Sequence, residues 1–397
     1  MCRTRIAGAA VLVLMSGLMV ACSSEDAAPS ANGGDVAPAA DEQEAAPPLR
    51  TTANVEPDGV PVDHELTVTA RNGSLSEVRV SSGAGLLPGE LNREGSAWTA
   101  TGRLEPGRQY VVRSVGESSD GERGTSTERF RTEDLTLDQQ TYPSVAPLAG
   151  ESVGVGMPVI VTFDVPVTDR AAIERNMTVS STPRQAGTWH WLSDYEVHWR
   201  PRTYWQAGTD VSVDVDINSV DAGNGIYGQE SRRVDFSVGD ANVYKVDAQT
   251  QQMKVFRNGT LLRTLPITTG KPGFTTRSGT KVIVEKFREK RMNSETVGID
   301  RDDPEAYDID DVEYAMRVTY SGEFIHAAPW SVGSQGSANV SHGCTGMSTA
   351  DAAWLYNMTR RGDVVEYTGT DKPMTLDNGY GDWNADFATY SEGSALS

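Results

Sequence analysis

Along residues 51–134, apolar residues fall on alternate positions of short runs such as "HELTVTARNG", "LSEVRVSSGAG", "RQYVVRSVGE" and "STERFRT", with glycine-rich punctuation between them. Residues 141–240 repeat the style. The clearest run is "TDVSVDVDIN", where Val211, Val213, Val215 and Ile217 alternate with polar residues. A period of two places those four side chains on one face of a half-buried strand. Each segment holds about 90 residues of regularly spaced strands and no strong helical pattern, which predicts two small β-sandwiches, over 51–138 and 139–240.

The pattern changes near Asn242. In "QMKVFRNGTLLRTLPI" the pair Asn258-Gly259 stands between apolar runs, a strong hairpin signal. "TKVIVEKF", "AMRVTYSGEFIHAAP" and "GDVVEYTG" supply further strands. One convincing helix follows, "STADAAWLYNMTRRG". Ser348 and Asp351 form a capping start, Trp354, Leu355 and Met358 an apolar face, and Gly362 the stop. Residues 241–370 therefore read as a β-rich domain with one main helix, and the chain as a whole as mainly β. The tail, 371–397, carries Tyr380, Trp383, Phe387 and Tyr390, which predicts that it packs back on that domain.

A different pattern opens the chain. Arg3 and Arg5 precede the apolar run "IAGAAVLVLMSGLMVAC", which reads as a signal peptide over 1–21. Met19-Val20-Ala21-Cys22 resembles a bacterial lipobox, implying that Cys22 becomes a lipidated first residue. No other apolar run approaches the roughly 18–20 residues that span a bilayer. The expectation is a lipid anchor in the cell membrane, with the body outside the cytoplasm facing the cell wall. Residues 22–50 are Ala-, Pro- and acid-rich beyond the cysteine and read as a disordered linker. A formal net charge of -20 argues against nucleic acid as a partner.

Export makes the cysteine count informative. Cys2 leaves with the signal peptide and Cys22 carries lipid, so Cys344 has no partner. An unpaired thiol in an oxidising compartment is either an inert buried group or a reactive one. The thiolate is the nucleophile and needs a base. Two histidines compete for that role. His342 lies two positions before Cys344, while His326 is separated from Ser341 by 14 residues that include "SVGSQGSANV"; the residues alone do not choose between them. Gly343 permits a tight backbone before the nucleophile, so that the Cys344 amide could help hold an oxyanion. Zinc is a poor use of His326, His342 and Cys344 without a second cysteine. His64, His190 and His198 stand isolated and read as structural, and the two sandwiches as spacers or wall contacts.

The pattern of His326, 14 residues, then Ser341-His342-Gly343-Cys344 resembles the active-site motif of the L,D-transpeptidases with a YkuD-type catalytic domain. The longer string "YSGEFIHAAPWSVGSQGSANVSHGCTGMSTADAAW" is similar to actinobacterial members, as is the order of lipobox, linker, two immunoglobulin-like modules, catalytic domain and a tail with "GDWN". The resemblance implies Cys344 as nucleophile and His326 as general base, oriented by the carbonyl of Ala327, with His342 shaping the site. It implies Tyr307 and Met292 on a flap over the substrate, and Ser321 and Gly322 as a backbone edge for the stem peptide. Trp330, Ser341, Gly343 and Gly346 complete the substrate-binding set. Many members place Asn or Arg two residues after the nucleophile, whereas this chain has Gly346, so a side-chain contact to substrate is missing.

The implied reaction is peptidoglycan cross-linking: acyl transfer from a donor tetrapeptide stem to an acceptor stem through a Cys344 acyl-enzyme, releasing D-alanine and forming a 3→3 link. It supports cell-wall biogenesis and cell shape. Carbapenem β-lactams are the implied inhibitors, and no metal or cofactor is needed. The alternatives are an L,D-carboxypeptidase, with water as acceptor, and a non-catalytic wall-binding lipoprotein. One segment exceeds the motif. "DRDDPEAYDIDDVE", residues 300–313, holds eight acids and one arginine. It reads either as a solvated loop or as a lip attracting the acceptor's ammonium, and it lacks the glycine of a calcium loop.

Overall fold

The computed structural model describes residues 47–397, so the expected signal peptide, Cys22 and nearly all of the linker lie outside the described residues. The fold is mainly β, as the alternation predicts. In the first sandwich the sheet of Arg50–Ala53, Thr67–Arg71, Gly89–Leu91 and Ala97–Ala100 faces that of Gly73–Ser82, Gly85–Leu87, Gln109–Ser118 and Arg123–Arg131. Their inward positions, among them Leu66, Val68, Trp98, Tyr110 and Phe130, form one core. In the second, Asp210–Val215 lies inside a four-stranded sheet, and Val211, Val213 and Val215 are buried on one face, with Ile217 just beyond the strand. Trp189, Trp191, Trp199 and Trp205 fill the space between its sheets.

The third domain combines a five-stranded and a four-stranded sheet. In the first, Asn242–Asp247 runs antiparallel to Gln252–Arg257 and parallel to Val364–Thr368. Asn258 and Gly259, at φ 48° and 80°, turn the chain into Thr260–Pro266 as the hairpin signal required. In the second, Glu285–Asn293 and Asp308–Arg317 make a long hairpin, Phe324–Ala327 pairs with its end, and Thr345–Met347 adds a parallel edge. Helix Thr349–Met358 packs over this sheet. Ser348 Oγ accepts from the Asp351 amide at 3.1 Å and Leu355 is fully buried. The helix stops at Thr359, whose hydroxyl donates to the Leu355 carbonyl at 2.6 Å, four residues after it; Gly362 lies beyond the end.

The second sandwich is more than a spacer. Val282, Val284, Val364 and Tyr380 join its core, and the amides of Gly154 and Gly156 donate to the carbonyls of Arg361 and Gly362, each at 2.8 Å. The tail was expected on the third domain. It does meet that domain: the Met374 amide donates to Ser278, Asn378 Oδ1 accepts from the Ser321 amide at 2.9 Å, and the Asn384 side chain exchanges hydrogen bonds of 2.8 and 2.7 Å with the Thr280 backbone. From Asp382 onward it also lies on the second sandwich, so the tail bridges the two. Asp382 accepts from His198 Nδ1 at 2.9 Å and Tyr390 OH at 2.8 Å, and Trp383 Nε1 donates to the Gly156 carbonyl. The Arg200 guanidinium lies 4.3 Å from the Tyr390 ring centroid, and the Ala395 amide donates to Glu174. The reason is polar: His198, Arg200 and Glu174 are buried in that sandwich, its own Glu196, Pro201 and Trp191 meet only part of their hydrogen-bonding capacity, and the tail supplies more.

Candidate active site

Thr345–Met347 is squeezed between two neighbours. Ile325 stands opposite Thr345 and His326 opposite Gly346 on one side, while Thr268 exchanges two backbone hydrogen bonds of 2.9 Å with Gly346 on the other. Alternation puts Cys344 on the face of Gly346, and hence of His326. Both side chains line a cavity of about 270 Å³ with Met292, Tyr307, Trp330, Ser341, His342 and Gly346. A second cavity, of about 310 Å³, reaches the same sulfur from the side of Gly322 and shares Met292 and Tyr307.

The loop before Cys344 is held by its own polar groups. Ser341 Oγ donates to the Cys344 carbonyl at 2.6 Å and accepts from the Gly343 amide at 3.1 Å. Thr276 Oγ1 accepts from the Gly270 amide and donates to the Gly343 carbonyl at 2.7 Å. Gly343 itself has φ 123°, a conformation that a side chain would strain. The Cys344 thiol is half-buried, 3.7 Å from the Gly322 carbonyl. Burial pushes its pKa up, to about 11; the Phe324 amide, Lys281 and Arg317 act in the opposite direction, and Glu323 adds to the rise.

The two histidines differ in what they bind. His326 Nδ1 lies 2.7 Å from the Ala327 carbonyl. A carbonyl only accepts, so Nδ1 carries the proton and Nε2 keeps the lone pair. Burial holds this imidazole below its ordinary range, against the pull of the Ala327 carbonyl, and Trp330 stacks on it with centroids 5.8 Å apart. His342 Nε2 instead donates to Glu305 Oε2 at 2.8 Å. Its ring is boxed by Phe274, edge-on at 4.7 Å, and Tyr307 at 5.0 Å. Tyr307 is pushed up to about 12 by burial and, secondarily, by the neighbouring Cys344.

Ser321 lines neither cavity. Its amide and hydroxyl are engaged by Asn378 of the tail, which leaves Gly322 as the backbone that borders the thiol. Gly346 gives space: a Cβ there would stand 2.9 Å from Ala328 Cβ and 3.0 Å from Thr268 Cγ2. His190 and His198 both hold the tail, His190 Nδ1 through the Tyr390 carbonyl at 2.7 Å. Three acids of the segment are paired within the hairpin, Asp308 and Asp310 on Arg291 and Glu313 on Arg288.

Several site residues escaped the sequence reading. Glu323 and Lys281 form a buried ion pair behind the nucleophile's loop, joined by Arg277 at 2.9 Å. The Lys281 ammonium sits 3.7 Å over the ring of Tyr367, whose hydroxyl meets Thr345 Oγ1 at 2.7 Å. Burial lowers the Lys281 pKa although Glu323 opposes the change. The one available signal was Lys281 beside the apolar Val282, Ile283 and Val284, an improbable place for a solvated ammonium. Glu305 was hidden among seven other acids.

Residues 241–366 match the L,D-transpeptidase catalytic domain (YkuD), and residues 57–221 the bacterial Ig domain. L,D-transpeptidase 2 of Mycobacterium tuberculosis is 34% identical over 339 residues, covering 85% of this chain and 82% of that protein. L,D-transpeptidase 5 of the same organism is 32% identical over 341 residues, covering 83% and 73%. A solved LD transpeptidase in complex with imipenem matches with a TM-score of 0.51 at 40% identity, covering 57% of this chain and 97% of that one. With this likeness running through the immunoglobulin-like region as well as the domain that holds the thiol, the chain belongs to the L,D-transpeptidase family, and is an enzyme of the transpeptidase type acting on peptidoglycan.

Proposed function

We propose that the protein joins peptidoglycan stem peptides by 3→3 cross-links through a thioester on Cys344. The observation that carries this reading is the tautomer of His326. With Nδ1–H committed to Ala327, the basic Nε2 belongs to the imidazole that shares a cavity with the thiol. His342 gives its Nε2–H to Glu305 and its ring is boxed by Phe274 and Tyr307, whereas strand pairing sets His326 on the face of Cys344. A thiol at about 11 beside an imidazole held low is not a standing ion pair. The proton moves only as the sulfur attacks, which is general-base catalysis.

Sγ forms a bond to the carbonyl carbon of the third residue of the donor stem, diaminopimelate, while Nε2 takes the thiol proton. The C–N bond to D-alanine then breaks, and the imidazolium returns that proton to the leaving amine. The side-chain amine of an acceptor stem attacks the thioester, gives its proton to His326, and the thiolate leaves and is reprotonated. Two cavities meeting at one sulfur support separate approaches for donor and acceptor. The Gly322 backbone borders the stem, and Trp330, 57% exposed, offers a flat apolar surface at the mouth. Carbapenems acylate the same thiol in this reading. The lipidated Cys22 and the linker to residue 50 hold the enzyme on the outer face of the cell membrane.

The test is incubation of the full-length protein with a disaccharide-tetrapeptide, followed by mass spectrometry beside Cys344→Ala. D-alanine release with dimer formation, absent in the variant, supports the proposal. Release without dimer makes water the acceptor and the enzyme a carboxypeptidase.

A further inference from the structure

We propose that Glu305 is a positioning residue of this site: through His342 and Lys271 it ties the flap that carries Tyr307 to the loop that carries Cys344. This rests on the transfer reaction proposed above. Glu305 Oε2 accepts from His342 Nε2 at 2.8 Å and from the Lys271 ammonium. Lys271 is itself fixed to the nucleophile's loop, its amide donating to the Ser341 carbonyl at 2.9 Å. One carboxylate thus grips that loop at two points, the imidazole at 342 and the chain paired with 341.

Three other acids of the flap pair differently. Asp308, Asp310 and Glu313 pair with Arg291 and Arg288, inside the hairpin to which they belong. Among the described residues of segment 300–313, Glu305 alone forms an ion pair outside that hairpin. The rest of the flap's bonds are internal, such as the Ser294 amide to the Tyr307 carbonyl at 2.9 Å and the Ser294 hydroxyl to Ile299. Tyr307, two residues after Glu305, lies against His342 and borders both cavities at the sulfur. Releasing Glu305 frees the segment that covers the thiol while leaving His326 and its Ala327 bond in place. Large and small reagents then respond in opposite senses. A stem peptide is positioned less well, whereas a small electrophile meets less cover.

The experiment uses the full-length protein and Glu305→Ala, Glu305→Gln and Lys271→Met. One arm measures kcat and KM for D-alanine release from the disaccharide-tetrapeptide. The other measures alkylation by iodoacetamide, read by mass on the peptide containing Cys344. The expected result for Glu305→Ala is a fall in kcat of about tenfold or more with faster alkylation, as for a loosened substrate-covering loop. Glu305→Gln keeps an acceptor for His342 and recovers part of kcat, and Lys271→Met falls between the two. Unchanged rates in both arms overturn the proposal, as does a parallel fall of both with a lowered Tm, which marks a merely structural residue. The alkylation arm needs no stem peptide, so it judges Glu305 even where the wild type releases no D-alanine and the transfer reading itself has failed.

Discussion

His326 donates Nδ1–H to the carbonyl of its own chain neighbour, Ala327, at 2.7 Å, where many catalytic histidines use a carboxylate. A neutral carbonyl orients the ring without adding a full negative charge, so it offsets burial only in part, and the imidazole stays below its ordinary value of 6.5. The active form is the deprotonated base, so a lowered pKa extends activity toward acid. Acylation by a carbapenem, followed by adduct mass, is expected to be level through neutral pH and to fall only below about 6.5. His326→Gln should lower the rate by about 10²–10⁴-fold. An acid limb centred above neutrality refutes this assignment.

Gly346 is a packing position as well as a gap in the cavity wall. Its missing Cβ would lie 2.9 Å from Ala328 Cβ and 3.0 Å from Thr268 Cγ2, and neither methyl gives way easily, the Thr268 side chain being held by its hydroxyl on the Ala338 carbonyl. Gly346→Ala is expected to cost about 1–3 kcal/mol of stability from overpacking. Gly346→Asn should add loss of cavity volume beside His326 and lower kcat/KM. Urea unfolding and stem-peptide kinetics check the two effects separately.

Lys281 and Glu323 are both buried, and removing Lys281 leaves Glu323 with Arg277 as its remaining cation. Lys281→Met is expected to destabilise by about 1–3 kcal/mol, the cost of one lost charged hydrogen bond in the interior, measured by urea unfolding. The same ammonium draws the Cys344 pKa down, so its loss should move the thiol further up and slow alkylation at fixed pH.

The tail clamp titrates. Burial opposes a charge on His198, but Asp382 and then Glu196 outweigh it and raise the imidazole from 6.5 to about 9. The folded state therefore holds the proton more tightly than the unfolded one. That stability is complete below about 6.5 and drains away as pH rises through about 9. Asp382, held low by the same pair against its own burial, loses its contribution only as the pH falls below the usual carboxylate range. Thermal unfolding should show a Tm that declines on the alkaline side, and His198→Gln should lower Tm at neutral pH and flatten that decline.

Short-range pattern was enough for a large part of this molecule. Alternation in "TDVSVDVDIN" determined the strand and its buried face, and Asn258-Gly259 determined a turn, because both depend on residues adjacent in the chain. Glycine before a cysteine, and serine and histidine before that, marked the thiol. What the tertiary structure decided were the partners of polar side chains. Pairing of Phe324–Ala327 with Thr345–Met347 joins His326 to the face of Cys344 across the sheet. Long-range packing brings Glu305 to His342, Lys281 to Glu323 and Asp382 to His198, across separations of 37, 42 and 184 residues. No local periodicity encodes such pairs. A buried charge takes whichever partner the folded chain sets within hydrogen-bond reach, and here that decided which nitrogen of each histidine is free, what holds the flap and where the tail lies.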